Sequence, residues 1–197
     1  MTGYEAPMHT VYRYAFPVLW LGWALYWWVA SRNVKANVRH ESPASRLAHI
    51  VPLMVALYLF WGPRPRNSFL AERFLPAADW PFWLGLLMAV GGILVSVWAR
   101  LTLGRNWSGT VTIKQDHELV TSGPYAFVRH PIYTGLLLAI GGSAIALGEW
   151  RGVVALVLAT AALWMKLRVE ERWMREQFGV AYTAYAARVA ALVPFVL

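Results

Sequence analysis

Five stretches of this chain contain no Asp, Glu, Lys or Arg: residues 14–31, 47–63, 80–99, 131–148 and 152–165. A helix that crosses a bilayer needs about 17–25 mostly apolar residues. The first four windows reach that length, helped by flanking side chains that snorkel outwards. The fifth reaches it if its helix runs from Trp150 to Arg168, with Lys166 and Arg168 snorkelling. Composition agrees: 58% of residues are apolar and only 14% charged, against about 25% charged in a soluble domain. A soluble chain this small has too few charges to cover its surface, and disorder is excluded for the same reason. The expected fold is therefore an all-α integral membrane protein, a single membrane domain over 1–197. Its five transmembrane helices fall at about 12–31, 46–63, 80–102, 131–148 and 150–168. Gly148-Glu149-Trp150-Arg151 is all that joins the last two, so they read as a tight helical hairpin. Met1–Thr10 lacks a basic n-region, and the first window reads as a span and not as a signal peptide.

Charge placement gives an orientation. Loops 32–46 and 100–130 and the C-terminal tail share one side. They carry Arg32, Lys35, Arg39, Arg46, Arg100, Arg105, Lys114, Arg129, Lys166, Arg168, Arg172, Arg175 and Arg188. The other side has Arg13, Arg64, Arg66, Arg73 and Arg151. Thirteen against five places the C-terminus in the cytoplasm and the N-terminus outside. The net charge of +8 thus reads as topology and not as a nucleic-acid surface. Many of the twelve Trp fall near window ends, where indoles favour the membrane interface. With no Cys, thiolate chemistry, disulfides and Cys-ligated metal are excluded. His117 and His130 lack a third ligand in metal-binding spacing, so no metal site is expected. No strand–Gly-rich turn–helix unit supports a Rossmann site or a P-loop. Gly91-Gly92 and Gly141-Gly142 lie inside apolar helices and read as close helix packing.

Two stretches are neither spans nor simple linkers. Residues 103–130 form a cytoplasmic loop with β-like character around Val111, Ile113, Leu119 and Val120, and a turn at Ser122-Gly123-Pro124. Residues 169–197 form a C-terminal cytoplasmic segment. Its amphipathic pattern, broken at Gly179, predicts two helical pieces along the interface. Polar residues concentrate where these stretches meet the spans. Pro131 sits at the expected first position of the fourth helix, with His130 near the N-cap and Tyr133 one turn in. That helix end offers free N–H groups and a positive dipole to an anion. Glu170 and Glu171 sit at a helix C-terminus, where the dipole disfavours carboxylates. Lys166 and Arg168, or a ligand's cation or hydroxyls, are the expected compensation.

The order LGRNWSG, HELVTSGPYAFVRHPIYTG, apolar hairpin, EERWMREQFGVAYTAYAARVAALVPF resembles the isoprenylcysteine carboxyl methyltransferase family of integral membrane methyltransferases. Phospholipid N-methyltransferases belong to the same wider group, and five spans resemble its compact prokaryotic members. The resemblance covers about residues 100–195. It implies S-adenosylmethionine as methyl donor, with S-adenosylhomocysteine as product. The site would be enclosed by the loop and the C-terminal helices on the cytoplasmic side of a bacterial inner membrane. Implied cofactor contacts are Thr112, His117, Glu118, Leu119, Val120, Gly123, Tyr125, His130, Pro131, Tyr133, Glu170 and Glu171. The acceptor would be lipophilic, entering from the bilayer; a prenylated cysteine carboxylate or an analogous compound fits. A carboxylate is already ionised and needs only orientation, with Arg168 or Arg129 as candidates. A phospholipid amine must lose a proton to a Glu, Glu171 among them, or to a His. An NADPH-dependent membrane reductase and a non-enzymatic membrane binding protein are the other readings. The sequence gives no oligomeric state.

Overall fold

The computed structural model describes residues 5–32, 37–65, 67–107, 112–114 and 119–196. They form α1 (Glu5–Ala30), β1 (Asn37–His40), α2 (Pro43–Trp61), α3 (Asp79–Leu103), β2 (Thr112–Lys114), α4 (Pro131–Leu147), α5 (Trp150–Phe178) and α6 (Val180–Ala186). Local chemistry sets the helix ends. The Ser42 hydroxyl accepts from the Ser45 N–H at 3.2 Å, and Pro43 takes the first-turn position where its missing N–H costs nothing. Pro131 opens α4 in the same way after His130. Gly148 adopts a left-handed conformation (φ 67°), so α4 stops and α5 begins two residues later. Gly179 (φ 52°) ends α5 and starts α6, as the interrupted pattern predicts.

Among the described residues three helices are long and apolar enough to cross a membrane: Pro43–Trp61, Asp79–Asn106 (α3 with its closing 3₁₀ turn) and Trp150–Phe178; α4 is a shorter apolar helix. α1 has 26 residues, but its Trp and Tyr residues, which are less apolar than aliphatic ones, lower its hydropathy, and it falls outside that set. The outward faces carry exposed Leu21, Leu25, Leu57, Leu87, Leu94, Leu101 and Val157. Apolar surface of this extent suits lipid and not water.

Two features differ from the sequence expectation. α5 runs unbroken to Phe178, well past Arg168, because the first turns of the tail continue the helical phase. And the β-like stretch pairs with the first loop: β2 lies antiparallel to β1, with Arg39 opposite Ile113 and His40 opposite Thr112. This two-stranded ribbon joins the two loops on one end of an otherwise helical bundle.

α4 is central, between α3 and α5, while α2 packs on α5. α3 and α4 meet backbone to backbone. A Cβ added at Gly92 would overlap the Gly135 carbonyl, and one at Gly142 would overlap that of Gly85. Gly91 has nothing within 4 Å and Gly141 only a Leu156 methyl at 4.0 Å. The close packing read from both glycine pairs thus rests on one member of each. Ala56, Ala155 and Ala159 form the α2–α5 contact. Tyr133, Leu163 and Leu167 pack with Ala191 and Leu192 of the C-terminal segment. At the opposite end of the bundle, Arg151 is 2.7 Å from Glu149 and bonds the Leu59 and Gly62 carbonyls, while Arg64 reaches Glu149 at 3.2 Å.

Candidate active site

The bundle end that carries the ribbon contains a cavity of about 400 Å³. α1 contributes Trp23 and Trp27. α2 contributes Arg46, His49, Ile50 and Leu53. The close of α3 gives Leu103, Asn106 and Trp107, and the following loop gives Leu119, Val120, Tyr125, Arg129 and His130. α4 adds Ile132, Tyr133 and Leu136. α5 adds Leu163, Lys166, Glu170, Trp173, Met174 and Gln177, and α6 adds Tyr182 and Tyr185.

Helical phase explains how α5 serves this wall. Positions 166, 170, 173, 174 and 177 recur on one face, so they line the cavity together. Glu170 and Glu171 are adjacent, so they diverge by about 100° and do different work. Glu170 accepts from the Tyr133 hydroxyl at 2.6 Å and lies 3.6 Å from His130 Nδ1. The His130 and Tyr133 rings stack with centroids 5.5 Å apart, nearly parallel. Glu171 is buried behind the wall. Arg129 donates to it from Nε at 2.8 Å and Nη2 at 2.7 Å, and Arg175 at 2.9 Å. The compensation for the two carboxylates thus comes from α4's first turn, from Arg129 and from the next turn of α5.

Arg129 also donates to the Ala186 carbonyl at 3.0 Å and to that of Val189. The Arg129 and His130 N–H groups donate to Ala190 and Ala191 at 2.8 and 3.0 Å. Thr134 donates to the Leu192 carbonyl, and Tyr185 to that of Tyr125, each at 2.6 Å. These bonds strap the C-terminal segment along residues 125–134. Burial raises the phenol pKa of Tyr125 and of Tyr182, and pushes Tyr185 up to about 12. All three stay protonated, and Tyr185 stays a donor, at any ordinary pH.

Among the sequence-assigned residues, Leu119, Val120, Tyr125, Arg129, His130, Tyr133 and Glu170 come together on the wall. Pro131 and Glu171 are buried just behind it, and Gly123 is exposed on the turn. Arg168 is exposed and does not line the cavity, because two residues on from Lys166 a helix has turned about 200°. Arg129 lines it, but its guanidinium is taken by Glu171 and the strap. Thr112 lies in β2 with its side chain outside the described residues, as are His117 and Glu118 altogether. Sequence reading missed Trp23, which lies mid-window, Trp27, assigned only to the interface, and the α2 residues. Trp20 and Trp23 donate to the Ser143 and Ser96 hydroxyls, each at 3.1 Å, which docks α1 onto α4 and α3. The signal on α2 was its spacing: Arg46, His49, Ile50 and Leu53 fall at i, i+3, i+4 and i+7, one helical stripe.

Two buried polar atoms of lining residues lack a hydrogen-bond partner among the described residues: Asn106 Oδ1 and His130 Nε2. The latter lies 3.4 Å from the Glu171 carboxylate. Buried polar groups are nearly always paired. An acceptor oxygen, an imidazole nitrogen, a carboxylate and aromatic faces around one cavity suit a ligand bearing amine and hydroxyl groups and a flat ring.

A family model described as phospholipid methyltransferase matches residues 80–181, just over half the chain. The chain belongs to this family. It is 33% identical over 136 residues to protein-S-isoprenylcysteine O-methyltransferase A of Arabidopsis thaliana, covering 66% of this chain and 69% of that one. It is 31% identical over 129 residues to the B enzyme of the same plant, covering 62% and 66%. Among solved structures it resembles the eukaryotic intramembrane Ras methyltransferase ICMT, isoprenylcysteine carboxyl methyltransferase. The TM-score is 0.54 and the identity 26%, covering 81% of this chain and 55% of that one. The chain therefore spans about two thirds of its plant relatives and about half of the solved one. The family match includes α3 from its second residue with its closing 3₁₀ turn, α4 and the whole of α5, the elements that carry Asn106, Tyr133 and Glu170.

Proposed function

We propose that this protein transfers a methyl group from S-adenosylmethionine to a lipophilic acceptor at the membrane interface. The acceptor is the carboxylate of a prenylated cysteine or an analogous compound. The observation that carries the reading is one cavity in which Glu170, Tyr133 and His130 face the apolar Leu119 and Val120, with Asn106 Oδ1 and His130 Nε2 lacking a hydrogen-bond partner among the described residues. The names of the plant relatives and of the solved neighbour support the acceptor class.

S-adenosylmethionine, when bound, supplies an electrophilic methyl on a positively charged sulfur that departs as a neutral thioether and needs no acid. The protein's task is therefore binding, alignment and exclusion of water. Glu170, fixed by Tyr133, accepts from an amine or hydroxyl. Asn106 Oδ1 accepts one more N–H or O–H, and Leu119, Val120 and Tyr125 supply apolar and aromatic surface. Glu171 positions Arg129, and through it the strap that encloses the cofactor. The topology that fits is five spans with the C-terminus and this cavity cytoplasmic, in a bacterial inner membrane. The polar cofactor then enters from the cytoplasm and the acceptor from the bilayer, which keeps the charged groups out of the membrane middle.

A phospholipid amine is the second acceptor class, in keeping with the family description. Calorimetric titration of the detergent-solubilised chain with S-adenosylhomocysteine and with NADPH tests the cofactor. Saturable binding of the first alone is expected. Binding of NADPH alone, or of neither, refutes the reading.

A further inference from the structure

Arg46 lines the cavity from the exposed end of α2. Its guanidinium makes no hydrogen bond or ion pair to a described residue. The other arginine on the wall, Arg129, is held by Glu171 and two carbonyls. Glu170 is the one carboxylate among the described lining residues, and it belongs to the Tyr133–His130 end. Among the described residues the carboxylate on the α2 side, Glu41, is engaged by Ser45 and His49, which leaves Arg46 as the charge open to a ligand and favours an anionic head over an amine. Beyond Arg46 and His49 the same stripe turns apolar. His49 comes one turn on, buried and 3.6 Å from Glu41, then Ile50, then Leu53, about 10 Å from Arg46 along the axis. Trp23 of α1 lines the cavity as well. Head-binding charge followed by an apolar wall, along one helix that enters the bilayer, has the polarity of an amphiphile.

We propose that this stripe is the acceptor subsite: Arg46 holds the acceptor's carboxylate, and Ile50, Leu53 and Trp23 line its hydrocarbon chain. The proposal rests on the methyltransferase reading above and names the residue that orients the acceptor. In the transfer, a carboxylate oxygen forms the new bond to the methyl carbon as the sulfur–methyl bond breaks. The electron pair stays on sulfur, and no proton moves. A guanidinium suits this role because it holds a carboxylate by two parallel N–H donors without protonating it.

The test is equilibrium binding to the full chain in nanodiscs, with S-adenosylhomocysteine present, of an N-acetylated S-prenylcysteine and of its primary amide. Wild type should prefer the carboxylate by roughly tenfold, the value of one charge-assisted hydrogen bond. Arg46→Gln should bind the two alike, and Arg46→Lys should keep part of the preference. Leu53→Ala should weaken both ligands by a similar factor. Affinity for S-adenosylhomocysteine should stay within about twofold in each variant, which also reports that the fold is intact. A preference that survives in Arg46→Gln, or is absent in wild type, overturns the subsite while the cofactor reading stands. Failure of wild type to bind S-adenosylhomocysteine overturns both.

Discussion

Glu171→Gln tests the strap. In the native protein the carboxylate takes two N–H donors from Arg129, at 2.8 and 2.7 Å, and the two side chains are only 11% and 7% exposed. Arg175 adds a third donor, but its side chain is 50% exposed, so water screens it and its share is small. Removing one charge of a buried pair costs about 3–5 kcal/mol, because the other is left uncompensated. Gln keeps an acceptor oxygen, which places the loss near the lower end, about 3 kcal/mol. For a chain of this size that is a fall in melting temperature of about 6–12 °C. Arg129 is also the anchor for Ala186 and Val189, so the strap should loosen and tryptic cleavage at exposed Arg188 should quicken. Thermal melts of Glu171→Gln, Arg129→Met and the double variant close a cycle. The double variant should lose less than the sum of the singles, with a coupling of about 2 kcal/mol. A single variant that melts within about 1 °C of wild type, with unchanged cleavage at Arg188, refutes the reasoning.

Tyr133→Phe removes the 2.6 Å hydrogen bond to Glu170 while keeping the ring stacked on His130. Affinity for S-adenosylhomocysteine should fall about tenfold in calorimetry, with the melting temperature little changed. Gly92→Leu should destabilise the bundle by about 3 kcal/mol or more, since its side chain would run into the backbone of Gly135 and Ala139. Gly91→Leu, facing open space, should melt like wild type, and thermal melts of the pair separate the two faces of α3.

The helices were legible because charges interrupt apolar windows at their ends, and the break at Gly179 because a glycine cuts an amphipathic run. His130, Tyr133 and Glu170 were legible as polar residues lodged where an apolar helix begins or ends. Arg129 drew notice as an acceptor-orienting residue, yet its partner is Glu171, 42 positions away, and no local pattern encodes that distance. The ribbon escaped because β1 is four residues long and lies in a loop read only for its charge. Arg46 and His49 escaped for a different reason. An arginine at the head of an apolar helix is the usual snorkelling residue, and only the packing of α2 on α5 turns that stripe towards the cavity. Trp27 was hidden in the same way by the general preference of indoles for interfaces.

The central claim is methyl transfer to a lipophilic carboxylate, and the product's chemistry tests it most directly. The purified chain is incubated with methyl-labelled S-adenosylmethionine and a host lipid extract supplemented with an S-prenylcysteine, and the organic-phase product is treated with alkali. A methyl ester releases its label as volatile methanol, whereas an N-methyl group does not. The account predicts label in the organic phase that alkali releases, and loss of that signal in Arg46→Gln before loss of S-adenosylhomocysteine binding. Label that withstands alkali, or no incorporation at all, contradicts it.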